Sequence, residues 1–470
     1  MLFRSSAEGS ETAKLQVVVD GQLLPPVLNE FVANNNNGLL DGDGLASDWI
    51  EIHNPNLLPL DLSGYFLTED IANLVRWPFP VGTILPGDNY LVVFASSQAV
   101  IDYLDAGGNL HTNFALRADG EYLALVAPDG STIHTEFAPA YPSQVEDVSF
   151  GPEGFLLSPT PGAPNNGEGV LGFVADTTFS IDRGFYTSPI AVAITSATPG
   201  AAIYYTTDGS EPSATNGTLY SVPLNITTTT VLRAVATKEN FAPTNVDTQT
   251  YLFVDDIIRQ TSSAPPGWPS SSVNGQAYRY GMNTAVVNHS NPAIGGVQQT
   301  KDALLSIPTL SIVLDQANLT SASTGIYSNP RSSGYAWERE ASLELIHPPD
   351  WVDPDGNLEG FQTGCGLRIR GGFSRRTQNP KHSFRLFFRR EYGNGRLNYK
   401  LFGDEGADEF DKIDLRGPQN YSWAMGGTSQ NSFVRDTWSR DLQGEMGHPY
   451  KRSRWYHLYL NGSEEPPLGH

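Results

Sequence analysis

Short apolar runs separated by turn residues dominate the pattern of hydrophobic and polar positions along this chain of 470 residues. In the first third, such runs cover 48–52, 90–94 and 122–126, and they are bounded by Asp, Gly, Pro and Asn. Runs of this length with such boundaries are typical of β-strands rather than helices. The pattern therefore predicts a mainly β protein.

The same pattern continues beyond residue 300, with one exception. Strands are predicted at 307–313, 341–345 and 367–370. One helix is predicted over 431–447, because Trp438 and Leu442 recur at a helical interval and Gly447 suits a helix end.

The length is suited to about three domains, each large enough for its own core. The domain boundaries follow from the strand runs and from stretches rich in Pro, Asn and Gly. We predict an unassigned segment at 1–22, a β-sandwich at 23–166, a linker at 167–178, a second β-sandwich at 179–254, an irregular connector at 255–306 and a third domain at 307–470.

Charge is distributed unevenly between the two ends of the chain. The formal net charge is −22, and it divides into −27 up to Phe361 (12 basic and 39 acidic residues) and +5 from Gln362 onward (17 basic and 12 acidic). An acidic protein repels a phosphate backbone, so generic nucleic-acid binding is not expected. The C-terminal part is the part suited to anions.

Targeting and cysteine signals are sparse. Cys365 is the single cysteine, which excludes an intrachain disulfide and a cysteine-based zinc cluster. No stretch approaches the roughly 20 apolar residues of a spanning helix. The first 21 residues lack the apolar run of a secretory signal, so we expect that an exported protein would carry its signal upstream of this sequence.

Five motifs occur in the first β segment in this order: Leu28-Asn29-Glu30-Phe31, Asp48-Trp49-Ile50-Glu51-Ile52-His53-Asn54, Leu62-Ser63-Gly64-Tyr65, Leu85-Pro86-Gly87 and Pro159-Thr160-Pro161-Gly162-Ala163-Pro164-Asn165. With these motifs the segment resembles the bacterial lamin-tail domain, an immunoglobulin-like sandwich. The second segment, with Ala202-Ile203-Tyr204-Tyr205-Thr206-Thr207-Asp208-Gly209 and Leu232-Arg233-Ala234-Val235-Ala236, is similar to the small sandwich at the C-terminus of chitobiase and β-hexosaminidase. That family implies a fold only, since its module has no known catalytic residues.

Residues 366–386 combine features that suit a polyphosphate. Gly371 and Gly372 permit close backbone approach, Ser374 can donate a hydrogen bond and Lys381 supplies a compact charge. The segment is neither a Walker A loop nor a Gly-rich kinase loop. From the residues alone, an alternative stays open in which strand arginines pair with nearby acids and Lys381 is solvated.

Five motifs follow one another in this part of the chain: Pro380-Lys381-His382-Ser383-Phe384-Arg385-Leu386, Tyr392-Gly393, Leu401-Phe402, Leu415-Arg416 and Tyr456-His457-Leu458-Tyr459-Leu460-Asn461-Gly462. With these motifs it resembles the N-terminal half of spore-coat-protein-H (CotH) kinase domains, which are secreted, protein-kinase-like phosphotransferases using ATP and a divalent metal. The resemblance implies an α+β fold in which Lys381 touches the ATP phosphates, helped by Arg370, Ser374 and Arg375, with Mg²⁺ or Mn²⁺ as the metal.

The kinase-like domain is expected to be incomplete. In the family, acidic residues that bind metal and orient the nucleophile follow the motif that ends here at Gly462, whereas no DFG-like or HRD-like sequence occurs before His470. Phosphoryl transfer needs phosphates neutralised by metal and a positioned attacking hydroxyl. We therefore predict nucleotide binding without turnover.

Two further candidate sites lie in the β segments. Asp41, Asp43 and Asp48 on a Gly-rich turn could offer carboxylate oxygens to Ca²⁺, although the spacing excludes an EF-hand and a solvated turn is the ordinary alternative. Four aromatic residues could form a sugar platform, although aromatic residues at alternate strand positions are more commonly sandwich core: Trp49, Trp77, Tyr204 and Tyr205.

The sequence thus predicts two consecutive immunoglobulin-like β-sandwich domains followed by an incomplete α+β protein-kinase-like domain. The expected function is that of a secreted or cell-surface protein whose β modules tether a CotH-like phosphotransferase domain. The alternative is a non-enzymatic surface adhesion or polysaccharide-binding protein with the kinase-like part as scaffold. In either case the expected partner is an extracellular or cell-surface protein or polysaccharide, and neither a nucleic acid nor a membrane span is expected.

Overall fold

The computed structural model describes residues 23–167, 169–273, 280–349, 351, 359–376, 382–417 and 434–464. Within these residues the backbone separates into two compact units. The first unit ends at Phe173 and also includes Glu239–Ala242, and the second comprises Val174–Lys238 and the described residues from Pro243 onward.

The first unit is built from two main sheets. Its strands are β1 (Val27–Val32), β2 (Asp48–His53), β3 (Leu60–Asp61), β4 (Phe66–Thr68), β5 (Trp77–Pro78), β6 (Ile84–Leu85), β7 (Tyr90–Ala95), β8 (Leu110–His111), β9 (Leu123–Val126), β10 (Ile133–Phe137), β11 (Ser149–Gly151) and β12 (Gly154–Leu156). One sheet has six strands in the order β12-β11-β1-β2-β7-β8, and the other has four in the order β10-β9-β4-β5. Strands β3 and β6 form a separate pair.

The core of this unit explains its strand pattern. Phe31, Ile50 and Trp77 belong to the main apolar cluster, whereas Trp49 packs with Phe94 in a smaller one. Strand β2 is therefore buried on both faces, which is why its apolar residues do not simply alternate with polar ones. An irregularity in the pairing of β1 with β2 places two acidic side chains opposite each other, those of Glu30 and Glu51.

The second unit begins with a smaller set of strands. These are β13 (Thr177–Phe179), β14 (Gly184–Tyr186), β15 (Ile190–Val192), β16 (Ile194–Ser196), β17 (Ala202–Thr206), β18 (Thr218–Leu219), β19 (Leu224–Ile226), β20 (Thr230–Thr237) and β21 (Asp247–Phe253). Five of them form the sheet β14-β21-β20-β17-β18, and the remaining four form the pairs β13-β16 and β15-β19.

A seven-stranded sheet organises the rest of the second unit. Its order is β28-β25-β24-β23-β22-β29-β30, with β22 (Thr309–Val313), β23 (Arg339–Ile346), β24 (Phe361–Arg370), β25 (Ser383–Phe387), β28 (Lys412–Leu415), β29 (His457–Leu460) and β30 (Ser463–Glu464). Strands β22 and β29 run parallel, and β26 (Leu397–Asn398) pairs with β27 (Glu409–Phe410) beside the sheet. The helices of this unit are α1 (Val254–Ile257), α2 (Thr284–Val287), α3 (Val297–Leu304), α4 (Gln316–Thr320) and α5 (Arg435–Glu445).

The segment predicted as an irregular connector, 255–306, contains most of α1 and all of α2 and α3. Their apolar residues join one buried cluster with strands of the flanking sheets: Leu252, Val254, Ile257, Ile258, Val287, Leu304, Ile346 and Tyr459. Helices α1 and α2 have four residues each and are too short to show a sequence period, and α3 has eight residues of which Leu304 alone is buried, so the pattern could not reveal them. The connector prediction is corrected accordingly, since part of this segment is core.

The structure confirms a mainly β protein and the strands predicted in each part of the chain. The predicted helix is present as α5, and Gly447 follows it with a φ of +76°, in the left-handed region that suits glycine at a helix end. Residues 431–433 of that prediction lie outside the described residues. The apolar residues of the helix are not core, because Trp438 is 64% exposed.

No described helix has both the length and the apolar character needed to cross a membrane.

Candidate functional site

Strand β24 has one apolar face and one basic face. Leu367 and Ile369 are buried in the core of the seven-stranded sheet, and the alternating residues Arg368 and Arg370 point to the opposite face. Arg368 lies directly opposite Arg385 on β25, so neighbouring strands bring their guanidinium groups to the same region. Two like charges at such a position repel each other unless a carboxylate or an anion lies between them.

Asp414 on β28 is the first carboxylate of this region. Its oxygens accept from Arg385 Nε at 2.6 Å and form an ion pair with Arg370, whose Nη1 lies 2.5 Å away. Hydrogen bonding to Asp414 raises the pKa of Arg385, which therefore remains charged at any physiological pH. One carboxylate thus neutralises only one of two arginines.

Glu338 is the second carboxylate, and its side chain is fully buried. It accepts from Arg389 Nε at 2.7 Å and lies 3.3 Å from Arg368 Nε. The Arg368 guanidinium carbon is also 3.9 Å from the centre of the Phe387 ring, a cation–π arrangement that keeps the side chain in place.

We refer to Arg368, Arg370, Arg385 and Arg389 as the arginine face. Its four guanidinium groups share three carboxylates, because Arg389 Nε also lies 3.7 Å from Glu391, and a surplus of one positive charge is left among these partners. The side chains are between 22% and 40% exposed, so their charges are held in fixed positions and remain accessible from solvent. Such an arrangement attracts anions, and arginine is the side chain best suited to bind phosphate or carboxylate with two hydrogen bonds.

A glycine turn borders the arginine face. Gly371 has a φ of +121°, and a Cβ atom there would lie 1.9 Å from Ser374 Oγ, so only glycine fits. The turn and three members of the arginine face, all except Arg389, line a cavity of about 660 Å³ together with Phe373 and Arg416. Arg416 itself pairs with Asp436 of α5 at 2.7 Å.

The structure places the sequence-predicted phosphate residues unequally. Arg370 lies in the arginine face, and Ser374 lines the same cavity while its hydroxyl donates to the Arg370 carbonyl at 3.4 Å. Arg375 also lines the cavity, but its guanidinium donates to the carbonyls of Pro330, at 2.8 Å, and Ser332. Arg375 therefore acts first as a tether between two loops. Lys381 lies outside the described residues.

Three members of the arginine face were not predicted from the sequence. Arg368 and Arg385 alternate with buried apolar residues on their strands, and this alternation is a signal that they share an exposed face. Asp414, the partner of Arg385 and Arg370, could not have been identified in the same way, because it comes from a third strand 29 residues beyond Arg385.

Strands β13 to β21 of the second unit form what we call the second β module. Farther along the seven-stranded sheet, this module covers the polar side of β23. Glu344 is fully buried there and accepts from the N–H of Thr250 at 3.0 Å and from the Thr250 hydroxyl. Arg183 Nε lies 3.5 Å from the same carboxylate. Burial raises the pKa of Glu344, although the nearby Arg183 and the Thr250 hydrogen bonds oppose the rise.

The three carboxylates predicted to hold Ca²⁺ are used within the loops of the first unit. Asp41 accepts from the N–H of Leu45 at 2.9 Å and from Ser47 Oγ at 2.9 Å. Asp43 accepts from the Tyr103 hydroxyl at 2.7 Å. Asp48 accepts from a backbone N–H, and burial raises its pKa to about 6, which opposes the charge that a cation needs.

No three His, Cys, Asp or Glu side chains in the described part of the chain are grouped as a metal site. Calcium binding by Asp41, Asp43 and Asp48 therefore stays a prediction for solution measurements. Binding of Mg²⁺ or Mn²⁺ at the arginine face also stays a prediction. The nearby carboxylates of Asp414 and Asp436 are each paired with arginine.

The aromatic residues considered for sugar binding divide between core and partly exposed positions. Trp49 and Trp77 are at most 1% exposed and belong to the core of the first unit, so neither is available to a ligand. Tyr204 and Tyr205 are partly exposed on β17 of the second unit. The platform interpretation is therefore wrong for the two tryptophans.

Comparison with known protein families agrees with two of the three resemblances. Residues 25–137 match the model of the Lamin Tail Domain, and residues 181–248 match that of the Chitobiase/beta-hexosaminidase C-terminal domain. A comparison with curated proteins gave no match. The first two resemblances are thereby confirmed, and the resemblance of the third module to CotH kinase domains stays a prediction.

Proposed function

We propose that this chain is a multi-domain protein of the cell exterior in which two β modules tether a third module that binds a phosphate-bearing ligand at the arginine face. The resemblance to CotH kinase domains makes ATP the expected ligand and phosphoryl transfer the expected reaction of the family. The described residues contain no cluster of three or more His, Cys, Asp or Glu side chains that could hold the divalent metal. The proposal for this chain is therefore limited to binding.

The sharing of three carboxylates by four arginines, which leaves one positive charge in surplus, is the observation that carries this proposal. A purely structural ion-pair network needs no surplus of charge, whereas an anion site does. The surplus lies beside the Gly371 turn and a cavity of about 660 Å³, which gives a phosphate group room to approach both backbone and side chains. The positive balance after Gln362 supports the same conclusion.

Calorimetric titration with ATP, tripolyphosphate and adenosine tests the proposal. Arg370→Gln should weaken ATP binding roughly 10- to 150-fold, because a hydrogen bond to a charged group contributes about 1.5–3 kcal/mol. The variant should remain folded, since Asp414 keeps Arg385 as its partner. Tripolyphosphate should show the same loss, because the contact is to phosphate.

Arg396→Gln is the matched control, because Arg396 belongs to an exposed ion pair with Glu409 and does not line the cavity. It should bind ATP as the wild type does. Equal affinities of wild type and Arg370→Gln, or adenosine binding as tightly as ATP, would remove the arginine face from the proposal.

A further inference from the structure

A serine, a histidine and an aspartate are hydrogen-bonded in series at one edge of the first unit. Ser96, directly after β7, has its Oγ 2.7 Å from His111 Nδ1. His111 Nε2 lies 3.2 Å from Asp105 Oδ2. Strands β7 and β8 run parallel with Phe94 opposite His111, and this pairing brings the histidine next to the serine.

The hydrogen bonds determine which histidine nitrogen carries the proton. An ionised carboxylate can only accept a hydrogen bond, so His111 Nε2 carries the proton and donates it in a hydrogen bond to Asp105, which leaves Nδ1 as an acceptor. The hydroxyl of Ser96 then donates to Nδ1. The serine proton is thereby directed at a basic nitrogen, which is the arrangement needed to activate a nucleophile.

Asp105 is held in its ionised form. Burial alone would raise its pKa, but hydrogen bonds from Asn109, Gly42 and His111 outweigh that effect and bring the pKa well below its usual range. The N–H of Gly42 donates at 2.6 Å and that of Asn109 at 2.8 Å. A permanent negative charge beside Nε2 stabilises the imidazolium that forms when Nδ1 accepts a proton.

The histidine ring is fixed in position, and the serine is accessible. His111 is 2% exposed, stacks on Phe94 with ring centres 5.3 Å apart and meets Tyr103 edge-on at 5.2 Å. Ser96 is partly exposed. A reagent from solvent can therefore reach the hydroxyl, while the base behind it remains shielded.

We infer that Ser96 is a base-activated nucleophile that accepts acyl groups from small activated esters. In this step Ser96 Oγ forms a bond to the ester carbonyl carbon while its proton passes to His111 Nδ1. The bond between the carbonyl carbon and the leaving oxygen breaks, and the alkoxide or phenolate departs. The imidazolium then returns its extra proton to water.

The neighbouring backbone limits this chemistry to a single acylation. The N–H of Ser97 donates to the Phe114 carbonyl at 3.1 Å, and that of Gln98 donates to the Thr112 carbonyl at 2.8 Å. These two donors are committed and cannot stabilise an oxyanion, which rapid turnover requires. The acyl group should therefore accumulate on Ser96.

Incubation of the full chain with p-nitrophenyl acetate, followed by peptide mass spectrometry, tests the inference. One acetyl group per chain is expected on Ser96, introduced at roughly 100-fold the rate at Ser97, since general-base assistance contributes about 10²–10⁴-fold. Ser96→Ala should abolish this label and Ser97→Ala should retain it. Equal labelling of the two serines in the wild type would overturn the inference.

A second pair of variants does not depend on removing the buried histidine. In Ser96→Cys the thiol should transfer its proton to His111, so iodoacetamide should react with a pH midpoint clearly below the ordinary thiol value of about 8.5. Ser97→Cys should react with a midpoint near that value. Cys365 should not interfere, because it is fully buried. Identical midpoints in the two variants would also overturn the inference.

Discussion

Replacing Glu344 with alanine should strongly destabilise the second unit. Its buried carboxylate is the acceptor for the Thr250 N–H and the Thr250 hydroxyl, and Arg183 Nε lies 3.5 Å away. Glu344→Ala removes the acceptor of the Thr250 N–H and the carboxylate beside Arg183, between the β module and the seven-stranded sheet, where water is excluded. The Thr250 hydroxyl keeps Ser311 as a partner, and Arg183 Nε keeps Gln249.

The size of the loss follows from those unpaired groups. A buried donor without an acceptor costs about 1–3 kcal/mol, and removal of one partner from a buried ion pair costs about 3–5 kcal/mol. The carboxylate is itself held at some cost, because burial raises the pKa of Glu344. This cost offsets part of the sum, so we expect a loss of about 3–5 kcal/mol. Glu344→Gln keeps the shape and one carbonyl oxygen and should cost about 1–2 kcal/mol.

Urea unfolding followed by circular dichroism measures these changes, with the effect expected in the transition of the second unit. Glu340→Ala is the matched control, because Glu340 is exposed and occupies the same face of β23. It should cost well under 1 kcal/mol. If Glu344→Ala were no more destabilising than this control, or no more destabilising than Glu344→Gln, unpaired buried donors would not be the cause.

Three further predictions concern pH, the acidic loop and ATP. Burial, opposed by hydrogen bonds, raises the pKa of Glu51 from 4.5 to about 7, so its contribution to stability is complete below pH 4.5 and is lost as pH rises through 7. Relative to Glu51→Gln, the wild type should therefore lose up to about 3 kcal/mol between pH 4.5 and 7.5 in urea unfolding, and parallel curves would contradict this. Asp41→Ala should cost about 1–3 kcal/mol because the Leu45 and Ser47 donors lose their acceptor, and millimolar Ca²⁺ should not change that cost in thermal unfolding. ATP should bind without being hydrolysed in a phosphate-release assay with Mg²⁺ or Mn²⁺. Measurable turnover would show that acidic residues outside the part of the chain that the structure describes hold the metal.

The strands that were predicted from the sequence each follow from local information, whereas strands of two residues, such as β3 and β6, were not predicted. A short apolar run bounded by Gly, Pro or Asp predicts a strand wherever it occurs, and β2, β7 and β9 were all located in this way. The helices α1 and α2 were missed because four residues make barely one turn. α5 was found by its period, but that period could not show that Trp438 is exposed.

Neither candidate site could be assembled from local patterns. Arg368 meets Arg385 because of the register between β24 and β25, and Asp414 reaches both strands only through the pairing of β25 with β28. Ser96 and His111 are brought together by a parallel pairing across 15 residues. A single sequence records none of these registers, so it could indicate phosphate chemistry near Gly371 and still omit most of the charged groups that surround it.

One face of the seven-stranded sheet carries two polar regions, and the polar side chains of the two regions find their partners in different ways. Polar side chains on a strand must find partners, and on β22 and β23 the second β module supplies them, as Thr250 does for Glu344 and Ser311. On β24 and β25 no such cover exists within the described residues, and the arginines share carboxylates of their own domain.

Because the two regions have separate partners, a change in one should leave the other intact. Folded Glu344→Ala should bind ATP as tightly as the wild type, and Arg370→Gln should unfold at the same urea concentration, which separates the support of the fold from the binding of the ligand.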